Sequence, residues 1–163
     1  MKKKILSLLL VAGLSVSLFA GCGSGAADAD KATAEGGKEA ASDLKIGAIL
    51  IGDETETYSK AHIDGIKEAA KELGIPENNI EWKERIDESE DCYDAAKALV
   101  ADGCTLVISN SYGHQDYIAE AAEEFTDVNF VSMTGDYAAI SGLDNYYNAF
   151  TNVYESRYVS GVV

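Results

Sequence analysis

The chain's groups for acid–base, nucleophilic or metal chemistry are few: two histidines, His62 and His114, and three cysteines, Cys22, Cys92 and Cys104. A protein zinc site gathers cysteine and histidine ligands at close, paired spacings, and these five residues show none. His114 and Asp116 stand close enough for an acid–base pair, but no nucleophile is set beside them. The first strand is not followed by G-x-G-x-x-G or a P-loop, and there is no G-x-S-x-G elbow. The expectation is a protein without catalytic residues, metal or cofactor.

What remains suits the holding of a flat, polar small molecule. Three short segments each set a tyrosine among small polar groups: 52–59 with Asp53, Tyr58 and Ser59, 110–115 with Ser111, Tyr112 and Gly113, and 134–137 with Asp136. An aromatic face with a few convergent polar groups is the usual make-up of a small-molecule site. His62 lies close behind the first segment. The candidate ligand-binding residues are therefore Asp53, Tyr58, Ser59, His62, Ser111, Tyr112, Gly113 and Asp136.

The elements around these segments alternate. Lys45–Ile51 is a short apolar run, consistent with a strand buried on both faces. Ile63, Ile66, Ala70 and Leu73 recur at helical spacing, and Gly74 and Pro76 stop the helix. Residues 79–84 alternate with period two, a half-buried strand near a sheet edge. Ser89 is a candidate cap for a helix carrying Cys92, Ala95, Ala96, Leu99 and Val100, which ends at Asp102 and Gly103. Residues 105–109 form a third strand, Ile118, Ala121, Ala122 and Phe125 mark a third helix, and 128–132 and 145–150 are two more strands.

Such alternation implies βαβ units: an α/β fold with a doubly wound parallel sheet. Ligands of such sheets sit beyond the carboxyl ends of the strands, where the strand order reverses. With the order 2-1-3-4-5 that point falls between strands one and three, which makes 52–59 and 110–115 neighbours. Cys92 and Cys104 bracket a helix of about ten residues, ~15 Å long, beyond the roughly 7 Å Cα reach of a disulfide. They are expected to be free and buried.

The amino-terminal part is of another kind. Lys2–Lys4 precede a 16-residue, almost wholly apolar run, Ile5 to Ala20, short of the roughly 20 residues that span a bilayer. Leu18-Phe19-Ala20-Gly21 before Cys22 resembles the lipobox of bacterial lipoproteins. That resemblance implies cleavage before Cys22 and lipidation of its thiol, hence an anchor on the extracytoplasmic face of the cell membrane. Residues 1–21 are thus read as a signal peptide and 22–43 as a tether, since Gly23–Ser42 has no aromatic residue and no Val, Ile or Leu. Without Lys2–Lys4 the chain carries 10 basic against 28 acidic residues, a net charge of −18. A nucleic-acid partner is excluded by that charge.

Further stretches carry a family likeness: Lys45-Ile-Gly-Ala-Ile-Leu-Ile-Gly-Asp53, Tyr58-Ser-Lys-Ala-His-Ile-Asp-Gly65, Leu106-Val-Ile-Ser-Asn-Ser-Tyr-Gly113, Phe125-Thr-Asp-Val-Asn-Phe130 and Tyr154-Glu-Ser-Arg-Tyr-Val-Ser-Gly161. Their order and spacing resemble those of basic membrane protein (BMP) family lipoproteins, the substrate-binding components of nucleoside-type ABC importers. The resemblance implies a type I periplasmic-binding fold, with 44–163 as an incomplete first lobe. It also implies ABC permease and ATPase subunits as partners. In the family an aromatic–asparagine pair after strand one holds a purine base; here Tyr58-Ser59 stands in its place. Serine keeps no amide with which to read the base edge. A sugar receptor of the same fold and a ligand-sensing signalling lipoprotein are the alternative readings. Asn152 and Glu155 look like a capping box, and the helix they begin runs to Val163, so the chain reads as the first part of a longer protein.

Overall fold

The computed structural model describes residues 43–150 and 153–162. The stretches read as signal peptide and tether, except Asp43, together with Cys22 and the expected cap residue Asn152, lie outside the described residues. Five strands form one parallel sheet: β1 Ile46–Ile49, β2 Ile80–Lys83, β3 Leu106–Ser109, β4 Asn129–Ser132 and β5 Tyr146–Asn148, in the order β2-β1-β3-β4-β5. Five α-helices are described: α1 Thr57–Leu73, α2 Glu90–Ala101, α3 Gln115–Glu124, a single turn α4 Ala138–Ser141, and α5 Val153–Val162. The expected doubly wound sheet, its strand order and its edge strand β2 are all found. β5 is shorter than the 145–150 expected.

Local chemistry explains the boundaries of the helices. The carboxylate of Glu56 caps α1, accepting the amides of Tyr58 and Ser59 at 2.7 Å each. At the other end Gly74 adopts φ 76°, a left-handed conformation that costs glycine little. Ser89 caps α2 by accepting the Asp91 amide at 3.3 Å. The last carbonyls around α3 are met from far away: the Asn145 side-chain amide donates to the carbonyls of Ala122, Phe125 and Val128.

Side-chain alternation sorts the strands onto two faces. Ile49, Val107, Phe130 and Tyr146 pack with Cys92, Ala96 and Leu99 of α2 and Ile118 and Ala122 of α3. On the opposite face Ile46, Ala48 and Ile80 pack with Ile66 and Ala70 of α1. Gly47 allows α2 to press against β1, since a Cβ there would lie 2.8 Å from Leu99 Cδ1. Leu73 corrects one expectation: as the last residue of α1 it is 48% exposed. Cys92 and Cys104, one in the first turn of α2 and one just past its end, are free and buried.

Candidate functional site

The switch point lies between β1 and β3, and Asn110 stitches the two loops together there. This asparagine is fully buried. Its side-chain oxygen accepts the Ile51 amide at 2.9 Å, and its side-chain nitrogen donates to Ser59 Oγ at 3.3 Å. Ser59 Oγ also accepts the Gly52 amide at 3.1 Å. Ser59 therefore corrects the expectation of a direct ligand contact. With 0% of its surface exposed, it braces the start of α1 against both loops.

Tyr58 follows from this brace. Its hydroxyl donates to the backbone carbonyl of Asn110 and lies 2.8 Å from Thr134 Oγ1, which ties the loop after β1 to those after β3 and β4. Tyr58 keeps 42% of its surface exposed, at the carboxyl edge of the sheet. His62, one turn further along α1, meets that ring edge-on with centroids 4.6 Å apart. Its Nδ1 lies 3.0 Å from the Tyr58 carbonyl. His62 backs the ring and borders an apolar groove beside α1.

Asp53 is nearly buried, and its carboxylate is engaged inside the protein. It accepts the Thr55 amide at 2.8 Å and hydroxyl at 2.5 Å and the Arg85 Nε at 2.6 Å, and Arg85 Nη2 completes an ion pair. The Thr55 hydroxyl, then the Thr55 amide and the Arg85 guanidinium, hold its pKa down at about 2. Arg85 has φ 57°, a left-handed backbone uncommon for a residue with a side chain. Its amide donates to the Gly52 carbonyl at 3.1 Å. Asp53 thus orders the loop together with the end of β2.

The turn after β3 is built around Glu88. That carboxylate accepts the Ser111 hydroxyl at 2.5 Å and the Gly113 amide at 2.9 Å, and these bonds lower its pKa. A Cβ on Gly113 would fall within 2.7 Å of either carboxylate oxygen, so glycine makes room for the carboxylate. Ser111 and Gly113 hold the 3-10 turn Tyr112–His114, while Tyr112 itself is 56% exposed. His114 beneath it is fully buried, with Nε2 3.0 Å from the Ile86 carbonyl and no hydrogen-bond partner for Nδ1. Burial pushes its pKa down, opposed by the Ile86 carbonyl and by Glu88. Asp136 is exposed after β4, its amide and that of Tyr137 donating to Gln115 Oε1 at 3.2 and 3.1 Å.

The arrangement brings together the rings of Tyr58 and Tyr112 and the exposed Asp136 along one edge of the sheet, over a bed of committed polar groups. Asn110, together with Glu88 and Gln115, which sequence reasoning left out, organises the three loops, and Arg85 ties the end of β2 to the first of them through Asp53. Glu88 and Arg85 carry no sequence signal, because their partners lie 25 and 32 positions away. Asn110 ends a recognisable strand and was legible as a loop residue only. Among the described residues no three His, Cys, Asp or Glu side chains gather to hold a metal.

A parallel sheet with its loops organised at the switch point has the α/β architecture in which ligands bind beyond the carboxyl ends of the strands, and comparison with known proteins gives the family. The profile described as ABC transporter substrate-binding protein PnrA-like (Bmp) matches residues 51–163. The chain belongs to that family, whose description is one of binding for a transporter and not of catalysis. A purine-binding protein of Brucella abortus (strain 2308) is 30% identical over 129 residues, which are 78% of this chain and 35% of that protein. The chain thus spans about a third of the length of this relative. An ABC transporter solute-binding protein from Conexibacter woesei DSM 14684 is similar in fold, with a TM-score of 0.55 at 19% identity over 64% of this chain and 34% of that one.

Proposed function

We propose that the chain supplies the first lobe of a lipid-anchored receptor that captures a nucleoside or related small molecule and hands it to an ABC permease with its ATPase. Tyr58 carries the reading. Its hydroxyl is held at the switch point by the Asn110 carbonyl and Thr134, yet the residue stays partly exposed. An exposed ring stacks on a flat base, and Tyr112 offers a second aromatic surface beside the neighbouring strand. The naming of a relative as purine-binding supports the same ligand class. A second lobe would close over the bound molecule, as two-lobed receptors do. Cys22, behind its lipobox-like stretch, would hold the receptor at the extracytoplasmic face of the membrane.

The test is a thermal-shift screen of the full-length protein, with Cys22 replaced, against nucleosides, nucleobases and sugars. A ligand at 100 times its Kd adds about 2.7 kcal/mol to stability. Tyr58→Ala should weaken nucleoside binding by roughly 1–3 kcal/mol, the range found where bases stack on aromatic side chains. A shift with a pentose and none with any base or nucleoside overturns the ligand class.

A further inference from the structure

Most polar side chains that hold the three loops are spent inside the protein. Asn110 uses both ends of its amide, on the Ile51 amide and on Ser59 Oγ. Asn148 does the same, accepting the Ala138 amide at 2.7 Å and donating to the Ser132 carbonyl at 3.5 Å. The carboxylates of Asp53 and Glu88 are engaged by Thr55, Arg85, Ser111 and Gly113. Thr134 Oγ1 meets the Tyr58 hydroxyl and the Asn110 carbonyl. Gln115 is the exception. It is only 7% exposed, and its Oε1 accepts the amides of Asp136 and Tyr137. Its Nε2 has no hydrogen-bond partner among the described residues. The one enclosed side-chain nitrogen or oxygen left unpaired among those residues is His114 Nδ1, so Gln115 Nε2 is not enclosed and reaches the surface.

The two backbone donors settle which end of this amide is which. The oxygen must face them, since an NH2 group turned that way would oppose two N–H groups. What Gln115 leaves open is therefore a donor with no acceptor beside it. The amide head is also fixed in place. Gly135, at φ 133°, makes room for it, because a Cβ there would stand 2.5 Å from Gln115 Oε1. The Gln115 carbonyl accepts the Tyr146 hydroxyl at 3.2 Å, which ties the residue to β5. Thr134, next to Gly135, is the residue that meets the Tyr58 hydroxyl. The amide head thus lies against the same loop that holds Tyr58.

Polar groups largely withdrawn from water are usually paired. We infer that Gln115 Nε2 is a ligand contact, donating a hydrogen bond to an acceptor on the bound base, a carbonyl oxygen or a bare ring nitrogen. Held with its oxygen inward, Gln115 selects for an acceptor and does not serve a donor such as an exocyclic amine. The inference rests on the reading of Tyr58 as the surface on which a base stacks.

Substitution by glutamate separates the two ends of the side chain. Gln115→Glu keeps an oxygen for the Asp136 and Tyr137 amides, which a carboxylate accepts at least as well, but turns the open donor into a charged acceptor. Adenosine, inosine and guanosine are titrated calorimetrically into the full-length protein with Cys22 replaced, with and without Gln115→Glu. The variant should bind the tightest of the three roughly tenfold or more weakly, while the melting temperature of the ligand-free protein stays the same. A second measurement needs no variant at position 115. Gln115 is the only glutamine of the chain, so isotope labelling of glutamine side chains gives this lobe a single NH2 pair in the NMR spectrum. The bound nucleoside should slow exchange of that pair with water severalfold; if Gln115→Glu also loses stability, this measurement decides. Undiminished affinity in Gln115→Glu overturns the assignment, and so does an NH2 pair whose exchange the nucleoside leaves unchanged. If none of the three nucleosides binds even with Gln115 intact, the ligand class falls and the assignment falls with it.

Discussion

The face of the sheet under α2 and α3 and the face under α1 are made of similar residues but differ in closure. On the first, Ile49, Val107, Phe130 and Leu99 are fully buried. On the second, Leu106, Ile108 and Val131 are only half-buried, although they belong to the same strands. Hydrophobicity therefore does not by itself decide burial. A strand residue is buried only where a helix is laid over it, and α1 is one helix over a five-stranded sheet. The candidate site lies where the two regimes meet. His114 below the Tyr112 turn belongs to the closed face, and His62 beside Tyr58 borders the open one.

The largest effect expected from this contrast is in core truncation. Phe130→Ala should cost about 3–5 kcal/mol in urea denaturation. Ile108→Ala, with water already near its side chain, should cost roughly 1 kcal/mol, well under the usual range for a buried isoleucine. If the two costs are alike, the α1 face is closed in solution. Overpacking sharpens the contrast next. Gly47→Ala pushes a methyl into Leu99 and should cost about 1–3 kcal/mol. Combining it with Leu99→Ala should recover part of that loss, a coupling that a double-mutant cycle measures.

Acid should act through the closed face. The pKa of His114 is lowered by burial, so the unfolded chain takes up a proton before the folded one does. The stabilising contribution is full above the ordinary histidine value near 6.5 and is lost as pH falls through the lower folded value. Urea midpoints should therefore drop between neutral and mildly acidic pH, and His114→Gln should flatten that dependence. An unchanged slope would mean that His114 does not titrate with unfolding. Asp53 acts at far lower pH: its contribution is present above the ordinary carboxylate value and fades only as pH falls towards about 2.

Much of the frame was legible before folding was considered. Ile63, Ile66 and Ala70 announced the buried stripe of α1, Gly74 its end, and Ser89 the start of α2. Alternation of short apolar runs with helices led to a parallel sheet and to loops at its switch point. The site was only partly legible. Tyr112 lies on the turn after β3 as expected, but Tyr58 falls in the first turn of α1 rather than on a loop, and Ser59, a candidate ligand contact, is a buried brace. Glu56 caps α1 although glutamate is not among the preferred capping residues, so nothing marked it in advance.

The sequence alone determined the elements, their order and the apolar side of each, because caps, turns and periodicity are settled by residues within a few positions of one another. Only the tertiary structure decided which polar groups are committed and which remain open. Ser59 meets Asn110 across 51 positions, Asp53 meets Arg85 across 32, and Tyr58 meets Thr134 across 76. No local pattern encodes such pairings. They exist because strand order brings distant loops to one edge, and that edge is created only when the sheet assembles.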